Sequence, residues 1–361
     1  MNELFSPDAY ARVRKLPDLL LPWYDSHKRD LPWRINTDPY RVWISEIMLQ
    51  QTRVEAVKEH YLRFLRTLPD VHALAECRED TLFKLWEGLG YYSRARNLQK
   101  AAKIIDRNGF PRTERELRSL PGIGDYTAGA IASIAFEEAT PAVDGNVVRV
   151  LSRLLGDERS PTFLKKALRD LLACAYPSLR RGDFTQSLME LGATVCLPAS
   201  PLCLTCPLLQ LCDTRSDALP AREPKAVRRK IPVTVLLFHN GSRIALCKRE
   251  NGLLRGTYGF FTIERAMEQE DAARFLQDAG LNRFALGKEI KHNHVFSHIE
   301  WNMTAFPVAC ETDVSSLTLP ESIARDGIVC TRFQALSYHE KSYVERELSL
   351  PTAFRWCLQY L

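Results

Sequence analysis

Four cysteines cluster in one short stretch of the chain, while the other six are scattered. Cys196, Cys203, Cys206 and Cys212 are separated by six, two and five residues. Thiols at short spacings can bring several sulfur ligands into one small volume without a costly loop closure, as a metal centre requires. The two-residue gap alone suits zinc, but a zinc ribbon normally repeats that gap in its second pair. The spacing therefore favours an iron-sulfur cluster, with zinc as the alternative.

A disulfide framework is the plainer explanation for clustered cysteines, but it suits short secreted chains. The first fifteen residues lack the charged, apolar and small-residue succession of a secretion signal. No apolar run approaches the ~20 residues that span a bilayer. With 361 residues, of which 45% are hydrophobic and 26% charged, the chain has the composition of an ordinary globular protein with room for two cores. We therefore expect a cytoplasmic, nucleoid-associated protein.

A second feature with chemical meaning lies in residues 120–131, where a proline and two glycines stand between helical patterns. Gly122 and Gly124 allow a sharp turn and a close approach of the backbone to a ligand. The following helix offers unpaired N–H groups at its positive end. Such a device can hold a phosphate, although a Pro-Gly turn between two helices is also common by itself. The net charge of +5 permits a polyanionic partner without requiring one.

The elements around these residues are predicted to be helical from Asp38 to about Thr194. Asp38-Pro39 is typical of a helix start. Apolar residues then recur at helical spacing, namely Val42, Ile47, Val54, Val57, Tyr61, Leu62 and Leu65. Another helix is predicted after Thr113, whose hydroxyl can cap the helix while Glu116 reaches back, and it should stop at Pro121-Gly122. This part of the chain is therefore predicted to be all-α.

The sequence loses its periodicity after Cys212. Prolines and cations accumulate there, namely Pro220, Arg222, Pro224, Lys225, Arg228, Arg229 and Lys230. This composition predicts an extended basic linker over residues 213–231, between a first domain of residues 1–212 and a second of residues 232–361.

The second domain begins with a period of two. Val233, Val235 and Leu237 alternate with other residues, and Asn240-Gly241 supplies a hairpin turn. A short helix is predicted over residues 270–279, and alternation returns at Ile299, Trp301 and Met303. The pattern predicts a smaller α+β domain.

Four further stretches of the first half carry a family resemblance. They are residues 31–34 (LPWR), 43–52 (WISEIMLQQT), 88–96 (GLGYYSRAR) and 143–146 (VDGN). A helix-hairpin-helix followed by four cysteines at these spacings resembles the endonuclease III superfamily of DNA glycosylases over about residues 31–212. The four stretches resemble the MutY-type adenine DNA glycosylases within it.

The resemblance implies a fold, a cofactor and a substrate. The fold would be an all-α helix-hairpin-helix glycosylase domain with a 4Fe-4S cluster on Cys196, Cys203, Cys206 and Cys212, followed by a smaller α+β Nudix-like domain. The substrate would be double-stranded DNA in which adenine lies opposite 8-oxoguanine or guanine. The protein is expected to act as a monomer.

This reaction would give two carboxyl groups opposite tasks. Cleaving the N-glycosidic bond to adenine requires a proton on the departing base and negative charge beside the developing sugar cation. Glu46 lies among apolar neighbours, so a position in the pocket would raise its pKa by desolvation and keep it protonated. The resemblance implies that Asp144 stabilises the cation or attacks it, as in a retaining glycosidase, with Asn146 and Tyr126 in support. By residue type alone, Glu46 would be a solvated helical residue and Asp144 a turn or N-cap residue.

Tyr126 also bears on the fate of the DNA once the base has been removed. In bifunctional relatives the corresponding residue is a lysine, whose amine forms a Schiff base and cuts the backbone. A phenol cannot do this. The chain is therefore predicted to be monofunctional and to leave an abasic site.

The resemblance assigns further residues around an extruded base, because an enzyme that acts on a base in a duplex must take it out of the stack. The implied adenine pocket consists of Arg29, Leu31, Trp33, Arg34 and Glu190. The residues implied to contact DNA are Leu49, Gln50, Gln51, Tyr91, Gly122 and Gly124. By residue type alone, Trp33, Leu49 and Tyr91 would be core residues. Arg94, Arg96, Arg149 and Arg153 either touch phosphates or form a solvated face.

Phe296-Ser297-His298 resembles the loop with which the second domain of this family recognises 8-oxoguanine. Serine and histidine can hydrogen-bond a base edge, and phenylalanine can stack. Without the first domain, these residues would be assigned to a strand-edge loop. The acidic box with which Nudix hydrolases hold metal is missing over residues 264–281, so we expect recognition and no pyrophosphate hydrolysis.

Two other functions stay open on the sequence. One is an endonuclease III-like glycosylase and lyase acting on oxidised pyrimidines, against which Tyr126 and the region after Ile231 argue. The other is a catalytically silent iron-sulfur protein that binds DNA or transfers electrons, which would have no need of Glu46 and Asp144.

Overall fold

The computed structural model describes residues 4–221, 227–320 and 332–361. The chain forms two compact units, Met1–Glu76 with Arg96–Pro224 and Cys77–Ala95 with Lys225–Leu361. The division near residue 224 falls in the region predicted as a linker, whose Arg222, Pro224 and Lys225 lie outside the described residues. The grouping of residues 77–95 with the second unit has no counterpart in the sequence pattern.

The described part of the first unit is built from helices. In chain order they are α1 (Pro7–Arg14), α2 (Leu16–His27), α3 (Pro39–Leu49), α4 (Val54–Thr67), α5 (Val71–Glu76), α7 (Tyr92–Asn108), α8 (Glu114–Leu117), α9 (Asp125–Phe136), α10 (Gly145–Leu155), α11 (Pro161–Ala173) and α12 (Arg181–Thr194). Helix α6 (Glu79–Trp86) and the first residues of α7 are grouped with the second unit. Within the described residues, the prediction of an all-α first half is confirmed.

The predicted helix starts are confirmed by their caps. The Asp38 carboxylate accepts a hydrogen bond from the backbone N–H of Arg41, and Pro39 follows it at the first helical position. Thr113 and Glu116 form the reciprocal capping box at the start of α8. That helix ends at Leu117, before the proline that was expected to stop it.

The apolar pattern from Val42 to Leu65 is interrupted in the structure. It is divided between α3 and α4 by residues 50–53, and Gln51 takes a left-handed backbone conformation with φ 61°. Hydrophobic periodicity cannot reveal this break, because apolar residues keep the helical spacing on both sides of it. The break places Gln50 and Gln51 beyond the end of α3.

The core of the first unit is formed by apolar faces of α2, α10, α11 and α12. Its fully or nearly fully buried members include Leu16, Leu20, Tyr24, Val147, Leu151, Leu168, Leu172, Phe184 and Leu188. Each large apolar side chain buried in this way stabilises the fold by about 1.5–3 kcal/mol. Helix α9 is apolar all round and buried along most of its length, as expected of a central helix. The packing fixes the helices that carry the candidate site residues.

The second unit contains a mixed sheet. Its strands are β1 (Arg229–Asn240), β2 (Arg243–Lys248), β3 (Tyr258–Gly259), β4 (Phe261–Ile263), β5 (Ala285–Leu286), β6 (Ile290–Val295), β7 (Ile299–Ala309) and β8 (Ser337–Glu340). The path through the sheet is β3-β2-β1-β7-β5, while β4 pairs with β1, β6 with β7 and β8 with β2. Its helices are α13 (Gln269–Asp278), α14 (Lys341–Glu347) and α15 (Thr352–Arg355), together with α6. The prediction of an α+β second domain is confirmed.

The central strand β1 is buried on both faces. Val233, Val235 and Leu237 pack into one core with Trp301, while Leu236 and Phe238 pack into another. The strand pairs with β7 in parallel, with Ile231 opposite Trp301. A strand covered on both sides has a continuous apolar sequence, which is why the alternation in the sequence marks only one of its two faces.

The hairpin between β1 and β2 turns one residue later than predicted. Asn240 pairs with Arg243, so the turn consists of Gly241 and Ser242. Gly241 has the positive φ of 58° that such a turn requires.

Within the described residues, no helix has both the length and the apolar character that a membrane crossing demands.

Candidate active site

The first unit contains a cavity of about 1000 Å³, lined by residues from α3, α9, α10 and α12. All four predicted catalytic residues lie on its wall: Glu46, Tyr126, Asp144 and Asn146. The predicted pocket residues Arg29, Leu31, Trp33, Arg34 and Glu190 line the same cavity, as do Leu49, Gln50, Gln51 and Gly124. The structure therefore brings together side chains that are spread over more than half of the sequence of this unit.

Glu46 occupies the inner face of α3 and is only 6% exposed. The phenol of Tyr126, on α9, donates a hydrogen bond of 2.6 Å to its Oε2 atom. Burial, together with the nearby charge of Asp144, raises the pKa of Glu46 to about 7 despite this hydrogen bond, which acts in the opposite direction. The predicted rise in the pKa of Glu46 is confirmed. The carboxyl group can therefore hold a proton near neutrality.

Asp144 combines two roles that the sequence presented as alternatives. It caps α10, because its Oδ1 atom accepts from the backbone N–H of Val147 at 2.8 Å. Its Oδ2 atom accepts from Nδ2 of Asn146 at 2.8 Å, on the wall of the cavity. Burial raises the pKa of Asp144, whereas these hydrogen bonds stabilise the carboxylate and oppose the rise.

Arg149 fixes the orientation of the Asn146 amide. Its guanidinium donates to Oδ1 of Asn146 and to the carbonyl oxygen of Gly192, both at 2.8 Å. The amide nitrogen of Asn146 is thereby turned towards Asp144. The sequence pattern presented Arg149 only as a phosphate contact or a solvated residue. Its position one helical turn after Asn146 was the available signal, because residues three apart on a helix are neighbours.

A buried ion-pair network forms another part of the wall. Glu190, on α12, accepts from Nε of Arg29 at 2.7 Å, from Nη2 of Arg29 at 2.9 Å and from Nη2 of Arg34 at 2.7 Å. Burial would raise the pKa of Glu190, but the hydrogen bonds from the two arginines outweigh it and lower the pKa to about 2. Arg34 also donates to the backbone carbonyl of Arg29, which ties the two cations together.

The two apolar members of the predicted pocket are buried. Leu31 is 2% exposed and Trp33 is 8% exposed, and the Trp33 ring packs edge-on against Tyr61 at 5.6 Å. Both residues line the cavity together with Arg29 and Arg34, so the cavity has apolar and charged side chains in its wall. A planar base with polar edges is the kind of ligand that such a combination accommodates.

The helix-hairpin-helix turn has the geometry that its glycines suggested. Gly122 has a φ of 79°, and a Cβ atom there would come within 2.8 Å of the Cβ atom of Asn97. Gly124 starts α9 without a capping side chain, and a Cβ atom there would meet nothing within 4 Å. The first N–H groups of α9 are therefore open to an anionic ligand. Gly124 lines the cavity, whereas Gly122 lies outside the lining.

The residues after α3 differ in exposure. Leu49 and Gln50 are half-buried, and Gln50 donates from Nε2 to the hydroxyl of Thr127 at 3.1 Å. Gln51 is exposed and left-handed, with φ 61°.

Several other residues of the cavity were not predicted as site residues, and three of them carry groups that bear on the chemistry. Met189 lies 3.8 Å from the Tyr126 hydroxyl, and Lys165 and Lys166 line the cavity. No motif or spacing in the sequence pointed to any of the three.

Tyr91 belongs to the second unit. The residue is 46% exposed, its backbone is left-handed with φ 47°, and its ring faces the guanidinium of Arg94 at 5.5 Å. The prediction of a core residue by type is therefore wrong, because the residue is exposed.

The predicted recognition loop forms the turn between β6 and β7. The backbone N–H of Phe296 donates to the carbonyl oxygen of Ile299 at 2.8 Å, which closes the turn. Ser297 and His298 are exposed, and their side chains are 3.0 Å apart, between Oγ and Nδ1. Phe296 is half-buried, with its ring edge-on to Trp301 at 5.0 Å. The structure presents two polar side chains outward from a turn anchored by an aromatic ring.

The four clustered cysteines line one small cavity of the first unit. Apolar side chains, among them those of Val150, Leu154 and Leu191, form much of the rest of its wall, together with Arg153, Arg215 and Ser216. Within the described part of the chain, no three His, Cys, Asp or Glu side chains converge as they would around a single metal ion. Four thiol groups with no nitrogen or carboxylate group among them form a donor set that an iron-sulfur cluster accepts.

The surroundings of the cysteines are partly cationic. The guanidinium of Arg153 lies 3.4 Å from the sulfur of Cys196 and donates to the carbonyl oxygens of Leu197 and Pro198. Arg153 is 2% exposed, so it is neither a solvated residue nor a free phosphate contact. A buried cation beside the sulfurs fits a ligand set that carries negative charge.

Comparison with known proteins gives consistent results for the sequence and the fold. Residues 44–174 match the family described as HhH-GPD superfamily base excision DNA repair protein. The adenine DNA glycosylase of Rattus norvegicus is 48% identical, in an alignment that covers 83% of this chain and 72% of that protein. The adenine DNA glycosylase of Homo sapiens is 36% identical, in an alignment that covers 86% of this chain and 70% of that protein. That of Buchnera aphidicola is 35% identical over 292 residues, covering 78% and 82%.

A solved structure supports the fold of the helical part. The structure of a thermostable thymine-DNA glycosylase superposes with a TM-score of 0.52 at 29% identity. The match covers 57% of this chain and 97% of that one.

Proposed function

The chain belongs to the adenine DNA glycosylase family, and from this premise we propose that its preferred substrate is adenine paired with 8-oxoguanine or guanine in double-stranded DNA. It is an enzyme of base excision repair that cleaves the N-glycosidic bond of adenine. The two other functions that the sequence left open, an endonuclease III-like enzyme and a catalytically silent protein, are thereby set aside. The observation that carries the mechanism is the hydrogen bond of 2.6 Å from Tyr126 to Glu46 inside the cavity that Asp144 also lines.

Glu46 is the general acid in this mechanism. A pKa of about 7 leaves a large fraction of its carboxyl groups protonated at neutral pH, so the group can donate a proton to a ring nitrogen of the departing adenine. Adenine then leaves as a neutral base, which is a far better leaving group than its anion. A general acid of this kind contributes about 10²–10⁴-fold to the rate.

Asp144 acts on the sugar. Its carboxylate is stabilised by the N–H of Val147 and the amide of Asn146, so it can supply negative charge to the developing oxocarbenium ion or attack it. Two carboxyl groups close together do not both ionise readily, and the charge of Asp144 therefore favours the protonated form of Glu46. Tyr126 holds the acid in place through its hydrogen bond.

The network of Arg29, Arg34 and Glu190 shapes the site for an extruded base. Glu190 is ionised and saturated with hydrogen bonds, so it holds the two arginines rigid. Rigid donors beside the flat surface of Trp33 and Leu31 suit a planar purine, since a preorganised site loses little entropy on binding. Leu49, Gln50, Gln51 and Tyr91 are proposed to fill or flank the space that the base leaves.

Strand cleavage is not expected to accompany base removal. Tyr126 stands where a lysine nucleophile would be needed, and a phenol cannot form a Schiff base with the sugar. Lys165 and Lys166 also line the cavity, and a lysine amine can form a Schiff base. The prediction is therefore that strand cleavage is inefficient compared with base removal. Covalent trapping with borohydride should be weak compared with the yield of abasic sites.

The four cysteines are proposed to hold a 4Fe-4S cluster. Such a cluster would supply a covalent cross-link among Cys196, Cys203, Cys206 and Cys212 in a segment that has little regular structure beyond two 3-10 turns. Analysis of iron and acid-labile sulfide in protein purified without oxygen tests this proposal. About four of each per chain supports it, and one zinc per chain would overturn it.

The second unit is proposed to be a Nudix-like domain that recognises the base opposite adenine. Exposed Ser297 and His298 can hydrogen-bond the edge of 8-oxoguanine, and the ring of Phe296 anchors the turn that carries them. The second unit would recognise the mismatch. The protein is proposed to bind DNA as a monomer.

A single assay tests the substrate class. Duplex oligonucleotides with adenine opposite 8-oxoguanine, guanine, cytosine or thymine are incubated with the protein and then treated with alkali, which cuts at abasic sites. Cleavage at the first two and not at the others supports the proposal. Equal cleavage of all four would show that the opposite base is not read.

A further inference from the structure

Helix α6 is fastened at both ends to elements from the C-terminal part of the second unit. At its start, the Asp80 carboxylate accepts from Nζ of Lys248, on β2, at 2.6 Å. Near its end, Nζ of Lys84 donates to the carbonyl oxygens of Glu345 and Leu348, at 2.7 and 3.0 Å. These carbonyls lie at the end of α14, where a cation satisfies groups that the helix leaves without partners.

Glu87 joins this docking to the loop after α6. It is 7% exposed, and its Oε2 atom accepts from Nζ of Lys84 at 2.9 Å. Its Oε1 atom lies 2.8 Å from Nη1 of Arg355, at the end of α15. A carboxylate buried to this degree is strongly destabilising unless its cations stay in place. The two ion pairs therefore hold Glu87 in place, and with it the start of the loop formed by residues 88–91.

Residues 88–91 are in turn braced from inside. The indole N–H of Trp86 donates to the carbonyl oxygen of Gly90 at 3.0 Å. The guanidinium of Arg94 donates to the carbonyl oxygen of Leu89 at 2.8 Å, and it faces the rings of Trp86 and Tyr91 at 5.4 and 5.5 Å. A shift of the loop would break several of these contacts together.

The residue presented by this loop is Tyr91. A left-handed backbone with φ 47° is costly for a residue other than glycine, and a residue that is 46% exposed gains little from burial in the free protein. Costly conformations that the surrounding contacts enforce are typical of residues held ready for a ligand. An exposed aromatic ring on a rigid loop suits stacking with a nucleobase.

We propose that the C-terminal part of the second unit positions Tyr91 for DNA, and that Glu87 is the positioning residue through which it does so. This inference rests on the proposed function, in which Tyr91 flanks the base stack beside the extruded adenine. It gives the second unit a task in base extrusion in addition to reading the opposite base.

A merely structural role of Glu87 would affect stability and every activity alike. A positioning role acts through Tyr91, so the two residues must show coupling in a double-mutant cycle. The cycle compares the full chain with its Glu87→Gln, Tyr91→Ala and doubly substituted variants. Single-turnover release of adenine opposite 8-oxoguanine gives the rate, and the fluorescence of 2-aminopurine placed beside the target adenine gives local unstacking.

We expect Glu87→Gln to lower both the rate and the fluorescence gain, the rate by about tenfold. In the Tyr91→Ala background the same substitution should lower the rate less than about twofold further. Glu289→Gln is the matched control, because it removes a carboxylate from an exposed pair with Lys291 in the same unit. It should change neither reading.

Arg355 supplies a second route if Glu87→Gln impairs folding. Its side chain is 56% exposed, so Arg355→Met should fold and reproduce the loss, while Arg355→Lys should restore most of the rate. Full additivity of Glu87→Gln and Tyr91→Ala would overturn the proposal, as would unchanged rates for both Glu87→Gln and Arg355→Met. Failure of the wild-type chain to release adenine from any duplex would instead refute the proposed function.

Discussion

The hydroxyl of Tyr126 lies 2.6 Å from Oε2 of Glu46, although the two residues are 80 positions apart in the chain. The hydrogen bond stabilises the ionised carboxylate and therefore lowers the pKa of Glu46, while burial raises it to about 7. The balance of these two effects places the acid where it can donate a proton under neutral conditions.

The rate of adenine release should depend on the protonation of Glu46. The single-turnover rate should fall as the pH rises through about 7, because the acid is lost on ionisation. Tyr126→Phe removes a hydrogen bond to the carboxylate, so the pKa of Glu46 should rise and the falling limb should move to higher pH. Glu46→Gln should lower the rate by about 10²–10⁴-fold at pH 7. An unchanged rate for Glu46→Gln would refute the assignment of the acid.

Glu46 should also make the protein less stable at alkaline pH. Its folded pKa lies above the ordinary value of 4.5, so its favourable contribution is complete below pH 4.5 and is lost as the pH rises through about 7. The loss amounts to roughly 3 kcal/mol for a shift of this size. Urea denaturation should therefore show that Glu46→Gln stabilises the protein at pH 8 and has little effect at pH 4. Equal effects at both pH values would contradict the raised pKa.

Glu190→Gln should destabilise the pocket wall. The substitution leaves Arg29 and Arg34 without their anionic partner, and breaking a buried ion pair in this way costs about 3–5 kcal/mol. The folded pKa of about 2 lies below the ordinary 4.5, so the contribution of Glu190 is present above pH 4.5 and is lost as the pH falls through about 2. Thermal and urea unfolding at pH 7 measure the loss.

Glu55→Gln provides the control for Glu190. It removes a carboxylate that is 80% exposed in its pair with Lys58. An exposed pair contributes about 0–1 kcal/mol, so the unfolding free energy should hardly change. Equal losses for the two variants would show that the buried network has no special role.

The two hairpin glycines should separate folding from DNA binding. Gly122→Ala forces a left-handed backbone on alanine and brings Cβ within 2.8 Å of Asn97, so it should lower the unfolding free energy by about 1–3 kcal/mol. Gly124→Ala meets no atom within 4 Å, and it should leave stability within about 1 kcal/mol. A loss of DNA affinity in Gly124→Ala, measured by fluorescence anisotropy, would then report the close approach of a phosphate. An unchanged DNA affinity of Gly124→Ala would show that no phosphate approaches the backbone closely at Gly124.

In the loop Phe296-Ser297-His298, Ser297 and His298 should contribute to base recognition, and Phe296 should also contribute to stability. Ser297→Ala and His298→Ala remove exposed side chains, so stability should hold while the preference for 8-oxoguanine over guanine opposite adenine falls. Phe296→Ala also removes ring contacts to His294 and Trp301, and should therefore lower the melting temperature as well. Excision rates on the two duplexes give the preference. A preference that survives the Ser297 and His298 substitutions would remove the loop from recognition.

The sequence by itself determined features that depend on neighbours in the chain. The caps at Asp38 and Thr113 arise from side chains that reach N–H groups three residues away, so their residue types are sufficient to predict them. The change of period near Ile231 indicated the division between helical and sheet parts for the same reason. The apolar neighbours of Glu46 indicated the sign of its pKa shift, although its size depends on packing. The family resemblance named many of the residues that line the cavity, but not Lys165, Lys166 or Met189.

Only the tertiary structure decided which distant residues contact each other. Glu190 lies 156 positions after Arg34, and Tyr126 lies 80 after Glu46, and no local pattern joins either pair. The break at Gln51 and the docking of α6 through Glu87 and Lys84 were equally invisible. Such contacts arise when whole helices pack, and the packing free energy depends on the shapes of both faces at once. A pattern along one chain segment contains only one of those faces.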